Sequence, residues 1–381
     1  MIFKKRLLSG ILSGFMLSSI FYSCSSDDNA DSNINFFRPV RFLYESDKEI
    51  SAKPTGNTGV DENGVPRKEY EVIIRRSNEF STADLMKEAT IEKTILYPGS
   101  LLRGESFIKG NYEPLNLTNS YNPVTLYLSI NGVNVSIKKD VLPKGGEVSQ
   151  TLTELKTNNS GYFPDNYIPA NYTYDSEQVT TEESFKKIIN LHVKSNFSTL
   201  VNSSFDYDYN NSGVKSSSYV LVKLKQTVYS AGIDVANWSN WVEGNIKGSE
   251  VGLYEPVYIS NIDYGRVAYL LIETNKTAKE TGKMVKGAVD YKIGNLTSGE
   301  NYIKNEELRK LFNSKKINVS VLGGASKTVT TYDEFINYMN LYGKDAIISS
   351  SAPISYTIRR LKDNTKVEIV NTYEEVRKEL R

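Results

Sequence analysis

Cys24 is the only cysteine and His192 the only histidine among 381 residues. Between them they close off most side-chain chemistry. One thiol cannot make a disulfide framework. A Cys–His pair, a serine triad using histidine and an ordinary zinc site are not to be expected. Acid–base work by two carboxylates stays open among 45 Asp and Glu, but no spacing singles out a pair. An enzyme is therefore the poorer reading, with no catalytic residue, metal or cofactor expected. The chemistry open to Cys24 is lipidation. Lys4, Lys5 and Arg6 precede the apolar run LLSGILSGFMLSSIFYS, and Ser23 stands before the cysteine. That layout predicts a lipoprotein signal peptide over 1–23, followed by an acidic tether over 24–38 containing SSDDNADS. Phe21 stands where leucine is commoner, and a plain export signal with a chance cysteine is the alternative. Losing three cations leaves 43 Lys and Arg against 45 acids, which argues against a nucleic-acid partner. No other run is long and apolar enough for a membrane-crossing helix.

The elements that must position any site are mostly short strands. EYEVIIRR and ATIEKTILYPGS alternate; KPTGNTGVDENGVP, ahead of both, reads as a turn-rich patch. NPVTLYLSINGVNVSI predicts a hairpin over Asn131-Gly132, and PKGGEVSQTLTELKTN a short helix. Strands follow at 217–233, 256–261 and 265–274, then a charged helix-prone stretch over 275–313 broken near GNLTSGENY. NVSVLGG and KTVTT read as strands, YDEFINYMN as a helix, and PISYTIRRLKDNTKVEIVN as a final strand pair. The fold class expected is α+β, a twisted central antiparallel sheet with helical inserts beside it.

One segment, SFKKIINLHVKSNFSTLVNSSFDYDYN (184–210), carries two patterns. Nine of the thirteen odd positions from 185 to 209 are apolar, whereas among the even ones only Ile188 and Leu200 are. That is a strand with one apolar face. Phe185, Ile188, Ile189, Val193, Phe197, Leu200 and Val201 also form a helical stripe. An ordinary soluble hairpin or helix with fortuitous alternation is the plain reading. A second stretch is weaker: Val285, Val289, Tyr291 and Ile293 alternate with Lys286, Asp290 and Lys292, but its return arm NEELRKLFNSKK is charged and looks helical.

Five ordered stretches spread over about 275 residues, YPGSLLRG, PANYTYDSEQV, NIDYGRVAYLLIET, VLGG and PISYTIRRLKDNTKVEIVN, resemble the cholesterol-dependent, or thiol-activated, cytolysins. The match is similar to short cytolysin-like members of Bacteroidetes type lacking the C-terminal membrane-recognition domain. The chain stops at Arg381, with only Trp238 and Trp241 to set against that domain's tryptophan-rich loop. The resemblance implies a cytolysin/perforin-like fold without the terminal β-sandwich, in which helical bundles convert to β-hairpins. It divides the chain into a discontinuous first domain (39–171, 222–265, 351–371), a long-strand second portion near 46–75 and 372–381, and a pore-forming sheet domain (172–221, 266–350).

The same resemblance implies roles for residues. The membrane-inserting face would comprise Phe185, Ile189, Leu191, Val193, Phe197, Val201 and Phe205, with Val285, Val289, Tyr291 and Ile293 from the second insert. A turn at Lys194-Ser195-Asn196 would set Val193 opposite Phe197, Ile189 opposite Val201 and Phe185 opposite Phe205. Phe205, Tyr207 and Tyr209 would make an aromatic girdle, and Lys187 would snorkel at the rim. Gly323-Gly324 would be the hinge before KTVTT, a strand capping an open sheet edge. Tyr174 would set strand register against a neighbour's Ile317, where the family has an aromatic residue. Ser176, Glu177 and Thr331 stand where the family keeps a triggering Glu–Lys pair. Tyr264-Gly265-Arg266 is a signature read as structural. The function implied is an oligomerising pore-forming toxin subunit, exported as a lipoprotein to the outer membrane or cell surface or released. Its partners would be the bilayer, its own copies and a longer cytolysin-like subunit; sterol binding is doubtful. The alternatives are a surface lipoprotein that binds a glycan or protein without insertion, and a decoy that caps a growing ring.

Overall fold

The computed structural model describes residues 37–381, apart from 87–90, 93, 134, 166–171, 194–196, 206–218, 235–239, 245, 295, 326–327 and 341–342. Cys24, the signal peptide and most of the tether therefore lie outside the described residues. Two antiparallel sheets carry the chain. The smaller has the order β1 (Lys48–Val60), β2 (Pro66–Phe80), β12 (Ile369–Leu380). Its first turn is tied by Asp61, whose Oδ1 accepts the Asn63 and Val65 amides and whose Oδ2 pairs with Arg67 at 2.9 Å. KPTGNTGV, expected as turn, is the body of β1. An edge strand tolerates Pro54, and the register slips between Pro54 and Thr58, where Gly56 has φ +87°.

The larger sheet has the order β3 (Thr82–Asp84), β11 (Ala352–Arg360), β9 (Val257–Glu273), β8 (Tyr219–Ile233), β5 (Val124–Ile130), β6 (Ser136–Val141). Short β4 (Leu101–Leu102) and β10 (Ile317–Leu322) also pair with β9, and β7 (Thr173–Val179) pairs with β8. One end of the long β8–β9 pair thus lies in a four-stranded ribbon, β7-β8-β9-β10. The expected strands at 256–261 and 265–274 are one strand, because the break between them is a bulge: Thr227 pairs with Gly265 but Tyr229 with Tyr264. Gly265 is required there, since a Cβ would sit 2.0 Å from the Gln226 carbonyl oxygen. ATIEKTILYPGS forms turns rather than a strand where described. The final strand pair is only partly formed: its arms meet at an antiparallel Arg359–Lys366 bridge beside the turn and then part, β11 joining the large sheet and β12 the small one. The Asn131-Gly132 hairpin is present.

Helices α1 (Gly104–Ile108), α2 (Gly145–Asn158) and α4 (Gly248–Val251) pack around the far end. Two groups flank the ribbon. On one face lie α5 (Ala278–Lys292), α6 (Gly299–Asn313) and α7 (Tyr332–Met339), packed on Val220, Val222, Leu224, Ala268, Leu270 and Ile272. On the other lie a 3₁₀ turn, Glu183–Lys187, and α3 (Phe197–Phe205), packed on Val179, Leu221, Tyr269 and Leu271. The alternation of β8 and β9 feeds both faces, as a sheet buried on both sides requires. The last helix, α8 (Lys344–Ser350), leads into β11.

Candidate functional site

The first segment is helical only in part. A single helix over the stripe is not found: residues 188–193 have no regular structure between the 3₁₀ turn and α3. Phe185, Ile189, Leu191, Val201 and Phe205 are each at most 3% exposed, while Val193 and Phe197 are half-buried against the same core. Each fully buried apolar side chain contributes about 1.5–3 kcal/mol. Phe185 and Phe205 already touch, with ring centroids 5.6 Å apart. Lys194-Ser195-Asn196, Tyr207 and Tyr209 lie outside the described residues.

Polar bonds pin this segment to both sheets. Asn190 exchanges two bonds with Asp84: the Asp84 amide donates to its carbonyl at 2.7 Å, and its own amide donates to Asp84 Oδ2 at 3.2 Å. Asn78 donates to the Asn190 side chain and Asn371 to the Leu191 carbonyl. Lys187, expected at a membrane rim, reaches Glu375 of β12 at 3.2 Å. Beneath lies a buried ion pair: Lys223 of β8, 6% exposed, bonds Asp84 Oδ2 at 2.5 Å and points at the Ile188 carbonyl. Lys225 beside it donates to Ser355 and lies 3.8 Å from Asp263. Sequence reasoning missed this pair; its one signal was a pair of lysines inside an otherwise apolar strand.

His192 belongs to the same segment. Phe42, Phe107 and Tyr112 surround its ring, and its Nε2–H donates to the Phe107 carbonyl at 2.7 Å. Burial lowers its pKa from the ordinary value to about 4, against the raising effect of that bond. The imidazole is neutral at physiological pH. Tyr112 donates its hydroxyl to the His192 carbonyl at 2.5 Å.

The second segment consists of two complete helices. Thr277 and Glu280 form a capping box on α5, and Ser298 caps α6. Val285 and Val289 are fully buried, whereas Tyr291 and Ile293 are half-buried. Gly282 lets α5 lie on β7, because a Cβ there would meet Ser176 Oγ at 2.5 Å.

Gly323 and Gly324 have φ of +70° and +80°, and a Cβ on Gly323 would sit 2.2 Å from the Gly265 oxygen. The expected cap strand does not form: residues 328–330 are irregular, and Thr331 instead caps α7 through a box with Glu334. Among the described residues, β10 pairs only with β9 and β7 only with β8, so both outer edges of the ribbon lack a strand partner. Tyr174 and Ile317 stand on those opposite edges, paired to Leu224 and Ile272. They do not meet within one chain. Burial raises the Tyr174 pKa; its hydroxyl is buried without a partner, and Lys286 sits over its ring at 5.2 Å. Ser176 and Glu177 are on β7 and Thr331 caps α7; Glu177 lies 4.0 Å from Lys187.

The signature residues explain the ribbon's geometry. Tyr264 stacks on Tyr229 at 4.8 Å, Gly265 makes the bulge, and Arg266 is buried beyond it. Arg266 lies between the Tyr172 and Tyr338 rings, donating to Gln226 and to the Tyr338 and Met339 carbonyls. A cation at those C-terminal carbonyls of α7 also answers the helix dipole. Among the described residues, no group of three or more acidic, His or Cys side chains could hold a metal, and no helix is long and apolar enough to cross a membrane.

A family model described as thiol-activated cytolysin matches residues 48–379. Tetanolysin of Clostridium tetani is 25% identical over 335 residues, which are 82% of this chain and 61% of tetanolysin. Perfringolysin O of Clostridium perfringens is 23% identical over 393 residues, covering 97% of this chain and 74% of that protein. The chain thus spans under two thirds of the first of these relatives. Among solved structures, suilysin from Streptococcus suis is similar with TM-score 0.65 and 17% identity, over 91% of this chain and 74% of that one. The crystal structure of a Gram-negative toxin is similar with TM-score 0.59 and 19% identity, over 92% of this chain and 75% of that one. These likenesses bear out the expected α+β fold around a large antiparallel sheet.

Proposed function

The chain belongs to the thiol-activated cytolysin family, a family of pore-forming toxins and not of enzymes, and from that premise we propose that it is an exported subunit that oligomerises and inserts amphipathic β-hairpins into a membrane. The domain division expected from the resemblance, with the sheet domain over 172–221 and 266–350, belongs to this proposal. So does lipid attachment at Cys24.

One observation carries the reading. In the ribbon, Val179, Leu221 and Leu271 share the face beneath the first segment, and β7, β8 and β9 pair odd with odd. If β7 and β8 ran on unbroken into residues 180–218, odd positions would stay on one face. Those are the apolar ones: Phe185, Ile189, Leu191, Val193, Phe197, Val201 and Phe205. Sheet register and sequence pattern, which are independent, agree. The unpaired ribbon edges supply places for neighbours to add. Extending β9 the same way puts Val285, Val289, Tyr291 and Ile293 on that face too.

The return arm is the difficulty. β10 pairs odd with even, so α6 drawn out as a strand would turn Glu300, Lys304, Glu306 and Lys310 to lipid. A lysine at the midplane costs about 2–4 kcal/mol, an acid less, and either less near the interface. Leaving the arm out would cost more. A four-stranded ribbon feeding only two strands into lipid leaves two open edges, each with about five unpaired amides and carbonyls at several kcal/mol apiece. Closure wins, and the second segment follows the first. The charged arm is also what favours the alternative, a surface protein that binds without inserting.

A longer cytolysin-like partner fits one feature. Tyr174 would meet the aliphatic Ile317 on a second copy, and an edge bearing an aromatic ring would hold Tyr174 better. Dye release from liposomes, with and without such a partner, tests the proposal; folded protein that releases nothing in either condition sinks it. Ile189→Asp and Val201→Asp are poor probes, since both side chains are fully buried in the compact form. Thr199 and Ser203 are better, because both are odd-numbered yet exposed on α3.

A further inference from the structure

The tip of the α5–α6 pair gathers exposed apolar side chains. Leu296, Tyr302 and Ile303 are 56%, 52% and 65% exposed, and all lie in the connecting turn or the first turns of α6. The turn is ordered by bonds of its own: the Leu296 amide donates to the Asp290 carbonyl, and Asn301 donates to the Leu296 carbonyl. Tyr302 packs edge-on against Tyr291 at 5.8 Å. Three large apolar side chains are thus held out in water on a formed scaffold.

Charge identifies what would cover them. Residues 274–316 hold ten Lys and Arg against five Asp and Glu, a balance of +5 in a chain whose total is +1. Residues 180–218, the other segment, hold four of each. Lys283 and Lys292 are exposed on α5, and the Lys292 ammonium sits over the Tyr291 ring at 5.8 Å. Over 283–304 the four lysines Lys283, Lys286, Lys292 and Lys304 stand against Asp290 and Glu300. Tyrosines and aliphatic residues beside such a basic surplus suit the boundary between headgroups and acyl chains, and the surplus selects anionic headgroups.

We propose that this tip, while still helical, docks the subunit onto bilayers carrying anionic lipid. The proposal deepens the pore-forming reading by naming the lipid class, yet needs no insertion. Docking would set the connecting turn, the leading end of the second hairpin, at the bilayer before α5 and α6 unwind.

The test is flotation of the full chain with vesicles, using Cys24→Ser so that no acyl group contributes. Vesicles of phosphatidylcholine alone are compared with vesicles containing a third phosphatidylglycerol. Binding at least about ten-fold greater on the anionic vesicles is expected, falling as salt rises. The double variants Leu296→Ser/Ile303→Ser and Lys283→Glu/Lys292→Glu, both at exposed positions, should each reduce it by about ten-fold or more. Equal binding to the two vesicle types, or undiminished binding by either double variant, overturns the proposal. Dye release from the same vesicles keeps the two readings apart. Selective binding without release, both with and without the longer partner, removes the pore-forming reading and leaves the docking tip standing. Release that ignores both double variants does the reverse.

Discussion

The two segments beside the ribbon are built on opposite principles. The first has little regular structure and is held by side-chain bonds to other elements: Asp84 to Asn190, Asn371 to the Leu191 carbonyl, Lys187 to Glu375. The second is held largely by its own helices, through the Thr277–Glu280 box and the i,i+4 pairs Lys286–Asp290 and Lys304–Glu300. The difference shows in their sequences. On the proposed reading the first must also serve as a lipid-facing strand, and such a segment keeps apolar residues at every second position on both arms, which spoils it as a helix. A segment optimised as a helix places charges at i,i+4, and in a strand those fall on one face. Double coding is therefore clean only where one structure is left poorly specified. The first segment leaves its compact form so; the second leaves its strand so.

The largest expected effect breaks the first segment alone. Asp84→Asn leaves the buried Lys223 ammonium without its counter-charge, and breaking a buried pair costs about 3–5 kcal/mol. Urea unfolding should show that loss. Hydrogen exchange should rise across 183–205 while the amides of α5 and α6 keep their relative protection. A uniform rise over both would show that the segments dock as one unit. Next comes Thr199→Lys, which adds a cation to an exposed position of α3 that would sit opposite Leu191 in the hairpin. The compact fold should be unchanged, with insertion opposed by about 2–4 kcal/mol per copy and dye release abolished. Undiminished release removes odd-numbered residues from lipid.

What could be read in advance follows from which interactions were local. The hairpin at Asn131-Gly132 and the helix pair around GNLTSGENY are each visible within a short stretch, and each appears as expected. The alternation of 185–205 is just as local, but in the compact fold it runs through a 3₁₀ turn, irregular residues 188–193 and α3 instead of a strand. β1 was hidden because Pro, Gly and Asn read as turn, whereas an edge strand with a bulge accepts them. β9 looked like two strands because Asp263-Tyr264-Gly265 resembles a turn; only pairing with β8 makes it a bulge. KTVTT has strand propensity, but Thr331 is better used capping α7. The Asp84–Lys223 pair joins residues 139 apart in sequence, and no local pattern reports that.

Acidity should separate the segments further. The His192 pKa is depressed to about 4 by burial, against about 6.5 in an unfolded chain. The unfolded state thus binds the extra proton between those values. Stability from this group is complete above about pH 6.5 and is lost as pH falls toward 4, with about 2 kcal/mol gone by pH 5. The only histidine lies in the first segment, so 183–205 should loosen selectively near pH 5. His192→Phe should flatten that dependence; equal loosening of α5 would place the pH response elsewhere.

The smallest effect is the most informative about the second segment. Thr277→Ala removes the side chain that accepts the Glu280 amide and bonds its carboxylate, which weakens α5 by about 1 kcal/mol. If α5 must unwind before a closed barrel can form, the helix is part of the barrier and dye release should speed up by up to about five-fold. The first segment's exchange pattern should not change. An unaltered release rate would mean that α5 stays wound while pores form. The charges of α6 would then never face lipid, and the contrast between the segments would be one between a strand that inserts and a helix pair that does not.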